Sequence, residues 1–516
     1  MFERRCGVLL HPTSLPGEHG VGELGAEARA WIDFLESAGQ RLWQVMPLGP
    51  TGYGDSPYQC FSAFAGNPYL IALTPLVQDR WTSEEELAPL RSLPRDAVDY
   101  GALYSSKLAV LASAADAFLG AAASGVAAAS HDDFARFCEE AADWLDDYAL
   151  FMALKDDLSG AAWTDWPAPL RDRDEAALAA ARGRLERLVA RHKVWQYWFA
   201  SQWGELKSYA NERGIEVVGD MPIFVALDSA DVWANRELFR LDDEGQPTVV
   251  AGVPPDYFSA TGQRWGNPLY RWDEMRRDDF AWWRARMRAA LAQVDIVRID
   301  HFRGFAAYWE IPASEPTAVK GRWVEAPGAE LFETLRRDQP DGNLPVIAED
   351  LGVITPDVER LRDRFGLPGM KVLQFAFAGG PADPYLPHNF QSNCVVYTGT
   401  HDNDTTLGWY RSAAEQERDH VRRYLARGDD DIVWHLVRLA LASTADLAVV
   451  PLQDLLRLGS EARMNTPGSA SGNWSWRFSW DDVPYWLAPQ LAELTELYGR
   501  GPRSEPVDTA YRQSKT

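Results

Sequence analysis

Eight short runs rich in Val, Ile, Leu and Met recur along the chain, at 6–10, 41–46, 215–221, 294–301, 344–350, 370–377, 393–398 and 447–452. Most are continuously apolar rather than alternating, so each strand they form must be covered on both faces. That is the pattern of a parallel sheet flanked by its own crossover helices. Helical spacing lies between several of them: 26–37 after the first run, 280–292 before the fourth, and 412–427 and 430–441 between the seventh and eighth. A helix is also expected over 355–364, where Pro356 suits a first turn. Eight strands alternating with helices close into a (β/α)₈ TIM barrel. A doubly wound open sheet is the alternative, but no Gly-x-Gly-x-x-Gly follows any run.

The second and third runs are separated by residues 47–214, far more chain than a crossover needs. Within that gap 105–158 is Ala-rich with helical spacing, carried by Phe134, Phe137, Cys138, Ala141, Ala142 and Leu145, and 175–213 is a second helical pattern. The expected organisation is a barrel beginning in 1–65, a mostly helical insertion over 66–204, the remaining barrel over 205–500 and a tail at 501–516. A second excursion, 224–273, contains Ala251-Gly-Val-Pro-Pro-Asp256. It reads as a shaped loop over the C-terminal face, where sites on this fold are built, with a lid near 250–258.

The 75 acidic against 51 basic side chains give a net charge of −24, which repels phosphate backbones and anionic membranes as partners. The four cysteines are far apart and form no Cys-x-x-Cys, so neither a disulfide framework nor a zinc knuckle is indicated. The first ten residues lack a signal-peptide core, and the Ala-rich region is broken by charges, so a cytoplasmic protein is expected.

Four of the runs deliver acids at their ends: Asp220, Asp300, Glu349 and, beyond the seventh, Asp402. An acid closing an unbroken Val/Ile run is a costly placement, and four on one rim suggest carboxylate acid/base chemistry or stabilisation of positive charge. Arg298 shares the face of Asp300 two residues on. Metal binding through His301, His401 and the carboxylates is the competing reading, but the spacing matches no metal motif, and no metal or other cofactor is expected. Carboxylates flanked by Arg and His in a chain with 22 Trp suit glycoside chemistry, in which one carboxylate attacks and a second carries the proton.

The wording around these acids is narrower still. His11-Pro-Thr-Ser-Leu-Pro16, Gly66-Asn-Pro-Tyr69, Arg264-Trp-Gly-Asn-Pro268, Arg298-Ile-Asp-His-Phe-Arg-Gly304 and Ala348-Glu-Asp-Leu-Gly352 together resemble the 4-α-glucanotransferases of glycoside hydrolase family 77, in the α-amylase clan. The resemblance spans residues 7 to 480. It implies Asp300 as nucleophile, Glu349 as acid/base and Asp402 as the third carboxylate. Arg298, His301, His401 and Asp220 match supporting positions, Tyr58 would stack beneath the cleaved sugar, and Gln263 and Trp265 would approach from the loop side. Pro254 and Pro255 would lie in a lid, and Tyr53 in a remote glucan site. The implied reaction moves a segment of an α-1,4-glucan donor to the 4-hydroxyl of an acceptor sugar with retention. A retaining α-glucan hydrolase is the alternative. Aromatic side chains near the acids, Trp265, Tyr58, Tyr53 and Trp409, are the ones expected to stack on glucose rings.

Overall fold

The computed structural model describes residues 2–122, 128–255, 259–469 and 471–501, and the side chains of Tyr53, Ala122 and Ala128 fall outside that description. So do residues 256–258 of the expected lid and all but Gly501 of the expected tail.

Twelve strands are described: β1 (Arg5–Leu9), β2 (Leu42–Gln44), β3 (Glu216–Pro222), β4 (Val249–Val253), β5 (Gln263–Pro268), β6 (Ile296–Asp300), β7 (Ala307–Pro312), β8 (Arg322–Glu325), β9 (Val346–Ala348), β10 (Gly369–Val372), β11 (Cys394–Tyr397) and β12 (Leu447–Pro451). Eight form one sheet in the order β10-β11-β12-β1-β2-β3-β6-β9, every pair parallel. The Ala348 amide donates to the Pro368 carbonyl at 2.9 Å, which brings β9 back to the start of β10 and completes the ring. This is the TIM barrel that the eight apolar runs lead one to expect.

Why those runs are unbroken is visible in the core. Leu9, Leu42, Val218, Ile296, Ile347, Met370, Val372, Val395, Tyr397, Leu447 and Val449 form one buried cluster. Their chain neighbours, such as Val8, Trp43, Val217, Val297, Val346 and Ala448, belong to a second, larger cluster shared with the helices. A strand with an interior on each side has no place for a polar alternation. Packing at β1 is tight enough that a Cβ on Gly7 would lie 2.0 Å from the Leu42 carbonyl oxygen, so only glycine fits there.

Between β2 and β3 the chain is mostly helical, with Tyr100–Ala122, Ala142–Asp157 and the 27-residue Glu186–Glu212 as its long elements. Tyr100–Ala121 is long and apolar enough to cross a membrane by length and composition. Its Lys107 is nevertheless fully buried in an ion pair with Glu23, and its Asp116 pairs with Arg187 and Arg191 of the long helix, which fits an element packed inside a protein.

The expectation of a shaped loop over 224–273 needs correction. Val249–Val253 and Gln263–Pro268 are the first half of an antiparallel sheet ordered β5-β4-β7-β8, completed by two strands that follow directly on β6. Residues Gln-Arg-Trp-Gly-Asn-Pro and Arg-Trp-Val-Glu carry no alternation that would mark β5 and β8 as strands. They are strands because β4 pairs with β7, Gly252 opposite Trp309, across a long separation in sequence.

Candidate active site

Asp300 closes β6, Glu349 follows β9 by one residue, Asp220 lies in β3, and His401-Asp402 lie four and five residues beyond β11. All of these strands run parallel, so their C-terminal ends open on one face. There Tyr58, Gln263, Trp265, Arg298, Asp300, His301, Glu349 and Asp402 line a single open groove of ≈ 1380 Å³.

At its floor, Arg298 donates to Asp220 at 2.6 Å and lies 3.2 Å from Asp300, joining two carboxylates from adjacent strands. Burial works against the guanidinium charge, but Asp220 and Asp300 outweigh it and hold its pKa well above the usual value. The Tyr58 hydroxyl donates to the same Asp220 oxygen at 2.9 Å and lies 2.8 Å from His401 Nε2. Burial and then the Asp220 charge raise the Tyr58 pKa well above normal, so the phenol keeps its proton. With that one proton given to Asp220, His401 must donate from Nε2. The Tyr58 and His401 rings stack with centroids 5.3 Å apart, and Trp474 packs against both.

Glu349 is held by backbone. Its two carboxyl oxygens accept from the amides of His301 and Leu351, each at 2.7 Å. The first of these exists because His301 adopts φ 55, ψ 49, a left-handed conformation that costs a β-carbon residue about 1 kcal/mol and that recurs at functional sites. The His301 ring meets Trp265 edge to face at 4.8 Å, and its buried Nε2 has no hydrogen-bond partner among the described residues. Burial and then Arg303 push its pKa down to about 3, leaving a neutral imidazole.

The two central acids are unlike. Burial, and then the charge of Asp300, push Glu349 up to about 7. Burial also raises Asp300, to about 6, against the pull of Arg298. Asp300 keeps 30% of its side chain open to the groove and touches the guanidinium, whereas Glu349 is buried. The anion therefore belongs on Asp300 and the shared proton on Glu349. Asp402 is the most open of the acids, 45% exposed, and accepts from Asn465 at 2.6 Å.

Pro254 and Pro255 follow β4 and pack against Gly262 rather than lining the groove. The side chain of Tyr53 is outside the described residues; its backbone forms the short turn Tyr53–Asp55. Sequence reasoning missed Asn465, Arg463, which donates to the Asp402 carbonyl at 2.7 Å, and Trp474. They sit on a Pro-, Gly- and Ser-rich stretch that reads as a connector. Its one signal is the Asn473-Trp474 pair inside an otherwise polar loop. Among the described residues, no group of three or more His, Cys, Asp or Glu is arranged to hold a metal ion.

A family model described as 4-alpha-glucanotransferase matches residues 10–482. The 4-alpha-glucanotransferase of Thermus thermophilus is 56% identical over 508 residues, covering 96% of this chain and 99% of that protein. That of Synechocystis is 51% identical over 506 residues, covering 97% and 99%. Among solved structures, amylomaltase from Streptococcus agalactiae in complex with acarbose superposes with a TM-score of 0.93 at 40% identity, covering 97% of this chain and all of that one. The architecture around the groove and the likeness along nearly the whole chain agree: this chain belongs to the 4-alpha-glucanotransferase family, glycoside hydrolase family 77.

Proposed function

We propose that this chain is a retaining 4-α-glucanotransferase acting on α-1,4-glucans such as maltodextrins, with Asp300 as nucleophile and Glu349 as acid/base. The observation that carries the reading is the unlike setting of two neighbouring carboxyls, Asp300 open to the groove and 3.2 Å from Arg298, and Glu349 buried on two backbone amides. Glu349 protonates the departing glycosidic oxygen while Asp300 attacks the anomeric carbon, giving a β-linked glucosyl ester. Glu349, now a carboxylate, removes the proton from the 4-hydroxyl of an acceptor sugar, which displaces Asp300 and restores an α-1,4 bond. Asp402, oriented by Asn465, grips ring hydroxyls of the sugar and favours the cationic transition state, as do the nearby carboxyls of Asp220 and Asp300. His301 and His401 offer further hydrogen bonds to hydroxyls, and Tyr58 supplies the platform. Pro254 and Pro255 are assigned to a covering segment, and Tyr53 to a remote glucan contact, on family resemblance alone.

Incubation with maltotriose tests the reading. A ladder of longer maltodextrins together with glucose is expected; reducing ends that rise steadily with no longer products would replace it with hydrolysis. A pH dependence follows from the same pair. Transfer needs Asp300 ionised and Glu349 protonated, so kcat/KM falls as pH drops through the lower apparent pKa and as it rises through the upper one. The expected profile is a bell with its maximum between the two values of the pair, about 6 and about 7. A rate that climbs without a downturn up to pH 9 would remove the proton from Glu349's role.

A further inference from the structure

The groove extends past the reacting acids to a wall that the mechanism above does not use. Trp409, Ser412 and Glu417 line it there, on the short helix Thr406–Ser412 and the start of Glu415–Leu425. The Trp409 indole is backed by Phe377 at 6.2 Å and flanked by Tyr410 at 6.1 Å. Its helix is fixed at the N-terminus by the Thr405 hydroxyl, which accepts from the Gly408 amide at 3.1 Å. Glu417 reaches the indole N–H from the next helix, and is half-buried rather than a free surface charge.

A rigid aromatic face beside a carboxylate and a hydroxyl is the chemistry that recognises a sugar ring: the flat C–H face rests on the indole, and the hydroxyl rim meets the acceptors. Trp409 packs among Phe377, Tyr410 and Glu417, a different set of side chains from the Asp220, Arg298, Asp300 and Tyr58 cluster, so a ring seated there is not the one being cleaved. We propose that Trp409, with Glu417 and Ser412, forms an outlying subsite for one α-1,4-linked glucose unit of a long glucan, and thereby sets a preference for chain length. This rests on the transferase reading; it adds which residues read a chain that a trisaccharide leaves unread.

The test compares kcat/KM for maltoheptaose with kcat/KM for maltotriose in wild type, Trp409→Ala, Trp409→Phe and Glu417→Gln. In Trp409→Ala the ratio of the two is expected to fall about fivefold to tenfold. Trp409→Phe, which keeps a ring against Phe377, should recover most of it, and Glu417→Gln should lower it by a smaller factor. A ratio equal to wild type in Trp409→Ala overturns the subsite, whether overall activity stays or falls, because a purely structural indole lowers both substrates together. Should wild type make no longer products from maltotriose, the transferase reading fails instead. The subsite is then still read by maltoheptaose quenching of tryptophan fluorescence, which must weaken in Trp409→Ala to sustain it.

Discussion

Asp300→Asn is expected to lower kcat/KM for glucan transfer by about 10⁴-fold or more, with little change in thermal stability. The amide is isosteric, and Arg298 keeps its 2.6 Å contact to Asp220, so the floor of the groove survives while the attacking anion is lost. Glu349→Ala should cost a similar factor on maltodextrins and far less on α-maltosyl fluoride, because fluoride leaves without a proton. Azide separates the two roles by stereochemistry. In Asp300→Ala, azide attacks α-maltosyl fluoride directly, the C–F bond breaks as the C–N bond forms, and the product is the β-azide. In Glu349→Ala the maltosyl ester on Asp300 forms first, azide then displaces the carboxylate, and the product is the α-azide. The same anomer from both variants would refute the assignment of nucleophile and acid/base.

These acids were legible in the sequence for the same reason the barrel was. A strand buried on both faces is written as an unbroken apolar run, and a carboxylate that ends such a run stands out against it. Glu349 after Val-Ile-Ala is the plainest case, and Asp300 closes Ile-Val-Arg-Ile, a run whose single interruption is Arg298. What the sequence left hidden depends on partners far along the chain. The half of the antiparallel sheet that falls within 224–273 reads as a loop because β5 lacks periodicity of its own and acquires strand geometry only by pairing with β4, which in turn pairs with the distant β7. Asn465 and Trp474 were hidden likewise: a polar connector discloses nothing until the fold lays it against Asp402 and Tyr58. The left-handed turn at His301, which aims an amide at Glu349, has no clear composition signal, since no glycine marks it and histidine, though among the side chains that enter this conformation more readily, mostly sits elsewhere.

Arg298→Met is expected to damage both stability and catalysis, and a second substitution separates them. The arginine is buried, and Asp220, only 1% exposed at its side chain, relies on it for charge. Removing one member of a buried ion pair strands the other, at a cost of about 3–5 kcal/mol, so the thermal midpoint should fall well below that of wild type. Among the described residues, Tyr58 alone remains to donate to the Asp220 side chain. Asp300 loses the charge that most strongly opposes its burial, so its pKa rises further and less of it is ionised at neutral pH. The acid limb of the activity profile should therefore move to higher pH. In the double variant Arg298→Met with Asp220→Asn no charge is stranded, and much of the lost stability should return. Activity should not, because Asp300 still lacks the cation that keeps it a nucleophile. Recovery of transfer in the double variant would show that Arg298 serves Asp220 alone, and an unshifted acid limb in Arg298→Met would show that Asp300 is ionised by other means.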